Sequence, residues 1–403
     1  MEHPLSARAA GTDPEIVGRL VERRAPLRTA LRDAMRPGEE RLRDEGEFTR
    51  LALEILAYQM DANPVYGAFV RHRGIEPRRL GHWREIPPVP ATAFRELPLD
   101  GLDVRPVEAV FRTSGTRGGV EARGTHRVRD LSLYHDSLLR SAGDLLGLDP
   151  AGRGGGSRAG RPLRIIALTP SPGARPDSSL AHMLGVWMDA WDPDGGRFLA
   201  DAQWRFSPAA LRREVRRSRG EERPLLVAGT AFGFWHLVRE LRGDPLPEPP
   251  AGSFVVETGG FKGRVRRVSR AELYLGIGRA FRLPSSRIVS EYGMTELLSQ
   301  FYEPLLLGGT PAEPSGRHYL GPAWTRTAVL DPGSLAPAGE GEAGILCHID
   351  LANLDSVAAV LTEDLGIAAG AGFRLLGRAE GAEPRGCSLA MEELLEAGRR
   401  AGR

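Results

Sequence analysis

From Val107 onward the chain follows one local pattern: a short β-rich run, a Gly/Ser/Thr turn, then a helical stretch. The runs are VEAVFRTSGT, LRIIALTP, PLLVAGTAFGFWHLVREL, SFVVETGG and SRIVSEYGMTELLSQFY. Strands of roughly four to six apolar residues, each followed by a polar turn and a helix, predict an α/β fold with an open sheet. In such sheets ligands bind at the carboxyl ends of the strands, where these polar turns sit.

The flanks differ. Residues 14–60 are helical by pattern: PEIVGRLVERR follows Asp13, a good cap, and the next stretch spaces Phe48, Leu51, Leu53, Ile55, Leu56 and Met60 for a helix. NPVYGAFVRHRGI (63–75) predicts a further short helix, and the proline-rich 86–102 reads as an extended connector. AGRGGGSRAGRP (151–162) reads as a linker or surface loop. After about residue 310, RTAVLDP, AGILCHIDL, AAVLTEDLG and GFRLLGR predict a small β-rich subdomain, closed by the amphipathic helix SLAMEELLEAGRRAGR. The expected division is 1–105 (helical), 106–308 (α/β core) and 309–403 (β-rich with a short C-terminal helix).

Charge narrows the function. Lys and Arg total 54 against 52 acidic residues, leaving +2, so no global field recruits nucleic acid or membrane. Runs such as RREVRRSR (212–219) read as solvated helix faces. Two cysteines, Cys347 and Cys387, exclude a disulfide scaffold and any CxxC metal spacing. No apolar stretch approaches the roughly 18 residues of a membrane span, and the N-terminus lacks a signal-peptide apolar region. The expectation is a cytoplasmic, enzyme-sized chain.

Three segments and one residue carry chemistry. FRTSGTRGG (111–119) offers hydroxyls and close-approaching backbone N–H groups that suit phosphates, although an ordinary turn has the same residues. It is not a P-loop NTPase motif. SEYGMTEL (290–297) gathers an aromatic face, a hydroxyl and a carboxylate, which suit base stacking and Mg²⁺; a helix N-terminus capped by Thr295 reads the same letters. In TEDLG (362–366) and LLGRAEG (375–381), Asp364 at a strand end suits a ribose diol and Arg378 a phosphate; Asp before a Gly turn is otherwise routine. Lys262, in ETGGFKGR (257–264), is the only lysine in an arginine-rich chain.

The order TSGT, GG, EYGMTE, TEDLG, GR resembles the adenylate-forming superfamily of acyl- and aryl-CoA ligases, adenylation domains and luciferases. Within it the chain looks like the acyl-protein synthetases of bacterial bioluminescence (long-chain-fatty-acid–protein ligases). Further segments of that likeness are LAYQMDANPVYGAFV, IPPVPATAFRE, SSLAHMLGVW, LLVAGTAFGF, ETGGFKGR, EYGMTELLSQFYEP and LLGRAEGAEPRGCSLAMEEL, over roughly 45–395. The resemblance implies an adenylate-forming-type domain whose 106–308 core binds ATP. Thr113, Ser114, Gly115, Thr116 and Gly118 would cradle the triphosphate, and Gly259 and Gly260 would border adenine and the substrate carboxylate. Tyr292 would stack on adenine beside Gly293, Thr295 would contact the α-phosphate, and Glu296 would hold Mg²⁺. Asp364 would bind the ribose hydroxyls with Arg378 at its edge. Thr258 would meet the substrate, and His182 would line the acyl pocket or meet the substrate carboxylate, with a satisfied structural histidine as the competing expectation; His126 lies near the phosphate loop on weaker grounds. Arg117 departs from the usual TSGTTG pattern, and no lysine follows it. The superfamily normally ends in a small domain with a catalytic lysine. Too few residues follow Glu380 for such a domain, which needs roughly 50, and none is lysine; the resembled family is similarly short. Lys262 is then a candidate for the missing cation.

The expected reaction is ATP-dependent activation of a carboxylic acid, with a fatty acid the expected class, as an acyl-adenylate, followed by acyl transfer to a thiol. In the resembled family a cysteine near the C-terminus carries the acyl group, and Cys387, after Arg385 and before a predicted helix, matches it; Cys387 as a small buried hydrophobe is the competing expectation. Cys347, inside a strand, is expected to be structural. Hand-over to an acyl reductase or a carrier protein would follow. Transfer to coenzyme A and a non-catalytic regulatory role are the alternatives. Trp187, Phe232, Phe234 and Trp235 are candidates for an acyl pocket or for core.

Overall fold

Short polar caps begin three N-terminal helices in a computed structural model of the chain, which describes residues 13–102, 104–113, 123–148, 162–241, 243–259, 268–308, 316–378 and 385–401. These are α1 (Pro14–Ala34), α2 (Glu45–Ala62) and α3 (Pro64–His72). Asp13 accepts from the Glu15 amide at 2.9 Å, Asp44 from Glu47 at 2.9 Å and Asn63 from Tyr66 at 3.0 Å. Each bond satisfies an amide that the helix itself leaves without a partner. On α2 the expected face buries Phe48, Leu51, Ile55, Leu56 and Met60, with Leu53 only half-buried.

The connector 86–102 is less featureless than expected, supplying β1 (Val89–Pro90) and the single turn α4 (Ala93–Glu96). Next come β2 (Ala109–Arg112), β3 (Thr125–Val128), α5 (Leu131–Leu146), β4 (Arg164–Ala167), α6 (Ser179–Trp191) and β5 (Arg197–Phe198). Then follow α7 (Pro208–Gly220), β6 (Leu225–Thr230), α8 (Ala231–Glu240), β7 (Phe254–Thr258), α9 (Arg270–Phe281), β8 (Ile288–Tyr292) and β9 (Phe301–Tyr302). The last elements are β10 (Thr325–Leu330), β11 (Ala343–Asp350), β12 (Ala359–Ala369), β13 (Gly372–Arg378) and α10 (Arg385–Ala401).

These elements pack as two units, each assembled from separated stretches of chain. The first takes the residues up to Ser137, Met294–Ser299 and Ala323 onward; the second takes Leu138–Gly293 and Gln300–Pro322. In the first, the sheet order is β1-β12-β11-β10 with β13 beside β12, and β2 and β3 form a separate hairpin. The parallel pair β1–β12 aligns Val89 with Val360. That long-range pair explains why regions expected separately as 1–105 and 309–403 share a unit: local texture carries no signal for it.

The second unit holds the predicted open α/β sheet, in the order β5-β4-β6-β7-β8-β9. Neighbours are parallel from β5 to β8, and β9 runs antiparallel to β8. Ile166, Val227, Val255 and Ile288 from the strands pack with Phe234, Ile277 and Phe281 from α8 and α9 in one buried cluster. Phe234 is therefore core, with Trp235 packed against it. Trp187 is also core: it is fully buried, with its ring 5.8 Å from Trp191 and 6.3 Å from Tyr302. Phe232 stays half-buried, its ring edge-on to His236 with the ring centres 4.4 Å apart. Among the described residues no helix is long and apolar enough to cross a membrane.

Candidate active site

In the second unit the parallel strands end together. Thr230, Thr258 and Glu291 lie in one register row across β6, β7 and β8, at the carboxyl edge where open sheets take ligands. The Thr258 hydroxyl donates to Glu291 Oε2. Burial pushes the Glu291 carboxyl up to about 7, against the pull of the Thr258 hydrogen bond and with a further push from Glu257. Gly259 follows at φ +69°, a left-handed conformation that glycine adopts without strain. At Gly293 an added Cβ would lie 2.4 Å from Glu291 Oε1, so the carboxyl occupies the space that only glycine leaves.

Tyr292, 8 % exposed, sits between Phe301 and Tyr319, each ring edge-on at 6.0 and 5.9 Å. Beneath it lies a hydrogen-bonded network. Tyr319 donates to Ser290 Oγ at 2.8 Å, Ser290 donates to Glu257 Oε1 at 2.7 Å, and Tyr274 donates to the same oxygen at 2.8 Å. Arg317, fully buried, reaches Glu303 at 3.1 Å. His182 is half-buried in α6 of the same unit.

In the first unit Thr295 and Glu296 are the central residues of a turn closed by the Leu297 amide on the Met294 carbonyl at 3.1 Å. The helix that Thr295 could have capped does not form: the next residues are tied elsewhere. The Leu298 amide and Ser299 hydroxyl donate to the two oxygens of Asp350 at 2.8 and 2.7 Å. His126 Nδ1 lies 2.8 Å from the Thr295 carbonyl, and Asn353 Nδ2 donates to the Glu296 carbonyl at 2.8 Å. A carbonyl only accepts, so His126 carries its proton on Nδ1. Burial pushes this imidazole below its ordinary value, with the Thr295 carbonyl opposing, and it is neutral at pH 7.

Asp364 and Arg378 are brought together. They are direct partners across β12 and β13, with Arg378 Nε 3.5 Å from Asp364 Oδ1 and Nη1 3.5 Å from Glu363. Asp364 stands inside β12 rather than at a strand end, because the β12–β13 hairpin continues past it. Thr113 closes the β2–β3 hairpin: its amide donates to the Gly124 carbonyl and its hydroxyl accepts from the Gly124 amide, both at 2.9 Å. Ser114, Gly115, Thr116 and Gly118 lie outside the described residues, as do Gly260 and Lys262.

Cys387 is in the first turn of α10 and 2 % exposed. It shares an apolar cluster with Ile345, Leu361 and Cys347, and its Sγ lies 3.8 Å from the Thr362 carbonyl. Burial, with Cys387 beside it, pushes the Cys347 thiol up to about 12, where it is inert as a nucleophile.

No group of three or more His, Cys, Asp or Glu side chains able to hold a metal occurs among the described residues. Mg²⁺ asks for less: one or two carboxylates, with the remaining positions filled by phosphates and water. Glu296 offers one such carboxylate, in a turn whose backbone is held from outside. Sequence reasoning passed over Glu291, Asp350 and Asn353. For Asp350 and Asn353 the available signal was polar residues at the end of an apolar strand, in CHIDLANLDS (347–356).

Residues 205–396 match the family model described as acyl-protein synthetase, LuxE. Comparison with curated proteins returns no match. Among solved structures, 2-hydroxyisobutyryl-CoA ligase in an open conformation with 2-HIB-AMP and CoA aligns with a TM-score of 0.57 at 15% identity, covering 82% of this chain and 70% of the other. The same ligase in the postadenylation state with R3-HIB-AMP gives 0.58 at 15% identity, covering 86% and 72%. At these identities the likeness is one of fold. Over residues 205–396 the chain is thus similar to the acyl-protein synthetase, LuxE, family, and as a whole it has the fold of adenylate-forming ligases.

Proposed function

We propose that this protein activates a carboxylic acid with ATP and passes the acyl group to a thiol. The observation that carries the reading is the family match over 205–396. That span contains Gly259, Tyr292, Thr295, Glu296, Asp364, Arg378 and Cys387, and the geometry adds the Asp364–Arg378 pair and the held Thr295–Glu296 turn. The acid's carboxylate attacks the α-phosphorus of ATP, pyrophosphate leaves, and an acyl-adenylate forms. A thiolate then attacks the acyl carbon and AMP leaves with its electron pair, giving a thioester.

In this reading Tyr292 and Gly259 border adenine, Asp364 takes the ribose hydroxyls, and Thr295 meets the α-phosphate. Glu296 holds Mg²⁺, which neutralises phosphate charge when bound. Thr258 and His182 face the acid, and Ser114, Gly115, Thr116 and Gly118 cradle the triphosphate. Lys262 supplies a compact cation near the α-phosphate, where a broad guanidinium fits less well. A fatty acid as substrate, an acyl reductase or carrier protein as the receiving partner and a cytoplasmic location belong to the same proposal.

Cys387 is the first candidate for the accepting thiol. Its burial beside Cys347 favours a second reading, transfer to an external thiol such as coenzyme A or a carrier, because a thiol 2 % exposed must be uncovered before it reacts. One experiment separates them. The protein is incubated with ATP, Mg²⁺ and a panel of carboxylic acids while pyrophosphate release and protein mass are followed. The proposal expects a hydroxylamine-labile adduct that Cys387→Ser removes while adenylation persists, and slowed adenylation in Lys262→Arg. Adenylation with no adduct on Cys387 selects the external thiol; no adenylation with any acid sinks the enzyme reading.

A further inference from the structure

Met294–Ser299 packs with the first unit, although the chain on both sides of it belongs to the second. This short excursion carries Thr295 and Glu296, and two buried side chains grip its backbone from outside. His126 comes from β3, and Asn353 from the loop after β11. They are 2 % and 0 % exposed. The first holds the Thr295 carbonyl and the second the Glu296 carbonyl, each at 2.8 Å.

Those two carbonyls control the orientation of the side chains between them. In a four-residue turn the peptide joining the two central residues is the one that flips between type I and type II, and the type II form needs positive φ at the second of them. Glu296 is not among the described residues with positive φ. The Thr295 carbonyl belongs to that central peptide, so the His126 bond opposes the flip. The Asn353 bond fixes the following peptide. With the turn's own bond on the Met294 carbonyl, they set the backbone on either side of the Thr295 and Glu296 Cα–Cβ bonds.

We infer that His126 and Asn353 are positioning residues for adenylation: they clamp the Met294–Leu297 turn so that the Thr295 hydroxyl and Glu296 carboxylate meet the nucleotide and its metal together. The inference rests on the function proposed above. Removal of such a supporting hydrogen bond typically weakens metal affinity or activity on the order of 10- to 100-fold.

The test uses the full chain with ATP and Mn²⁺ as a spectroscopic stand-in for Mg²⁺. Asn at position 126 places an amide N–H close to where Nδ1–H stands; Leu removes the donor. His126→Leu is expected to raise the Mn²⁺ midpoint of the ATP complex roughly 10- to 100-fold, and to slow ATP–pyrophosphate exchange without moving KM for the acid. His126→Asn is expected to restore both toward wild type. Asn353→Ser, which withdraws the second donor, is expected to shift the midpoint in the same direction and serves if the Leu variant fails to fold. A folded His126→Leu or Asn353→Ser variant with an unchanged Mn²⁺ midpoint overturns the clamp, as does an Asn variant as defective as the Leu variant. A wild type that binds Mn²⁺ and ATP yet exchanges no pyrophosphate with any acid overturns the proposed function and with it the role in adenylation, while the Mn²⁺ midpoints of the variants still decide whether the two residues clamp the turn; a wild type that binds neither overturns both.

Discussion

Asp130 in the first unit and Glu291 in the second are both buried carboxyl groups, and their surroundings treat them in opposite ways. In the first, Asp130 is 2 % exposed and takes Arg24 at 2.9 Å, Arg28 at 2.6 Å and Arg105 at 2.9 Å. Burial alone pushes its carboxyl up, but hydrogen bonds from Arg28, Arg24, Ser132 and the Leu133 amide outweigh that and hold it well below the usual range. In the second, Glu291 is as deeply buried and has the Thr258 hydroxyl as its one hydrogen-bond donor among the described residues, so burial wins and the carboxyl rises to about 7. The first arrangement staples helices with a permanent charge. The second keeps a proton-sensitive group at the carboxyl ends of the parallel strands.

The largest effect should come from breaking the staple. Arg24 donates to Asp355 through Nε and Nη2, both at 2.6 Å, as well as to Asp130. Arg24→Met takes one cation from buried Asp130, which keeps Arg28 and Arg105, and both hydrogen bonds from half-buried Asp355; stranding one partner of a buried pair costs about 3–5 kcal/mol. Urea unfolding at pH 7 checks this; a loss under about 1 kcal/mol, the scale of an exposed pair, would mean that the cluster is not the staple described.

Glu291→Gln tests the other side. The folded carboxyl titrates near 7 and the unfolded one near 4.5. Between those values the folded protein holds a proton that the unfolded chain has released. The group's contribution is therefore full below about pH 4.5 and is lost as pH rises through 7. Glutamine is neutral throughout. Relative to the variant, wild type should lose on the order of 3 kcal/mol between pH 4.5 and 8, at about 1.4 kcal/mol per tenfold change in proton affinity. The histidines pushed down by burial, His126 and His348, lose stability as pH falls, and they cancel in the difference. A wild-type-minus-variant difference that stays flat with pH would place the Glu291 carboxyl in its ordinary range and erase the contrast with Asp130.

These contrasts mark what sequence alone carries. Strands, caps and turns are local, so Asp13 as a cap, the run of β-rich segments and the β12–β13 elements are all legible. The Asp364–Arg378 meeting is half legible: both residues stand out by type, but their register depends on a bulge between Leu365 and Gly366. The β1–β12 pair, the burial of Cys387 against Cys347 and the grip of His126 and Asn353 on the Thr295–Glu296 turn join residues far apart in the chain. No periodicity or spacing encodes those distances. Glu291 was overlooked for a different reason: next to a tyrosine and a glycine it reads as one more polar turn residue, and only the loss of solvent around it makes it unusual.

The smallest effect gives the baseline against which both clusters are judged. Arg50 on α2 bridges Glu47 at 3.1 Å and Glu54 at 2.7 Å, but its side chain is 51% exposed. Water and salt screen such pairs, and i,i+4 helix pairs contribute about 0.3–0.5 kcal/mol each. Alanine also has the higher helix propensity by a few tenths of a kcal/mol, which offsets part of the loss. Arg50→Ala should therefore leave the urea midpoint nearly unmoved, and the loss of the ion pairs should count for less still in high salt. A change of about 2 kcal/mol or more, well outside that exposed-pair range, would show that short, well-formed ion pairs stabilise this protein whether or not they are buried. Burial would then no longer separate the Asp130 staple from the many arginine pairs on the surface.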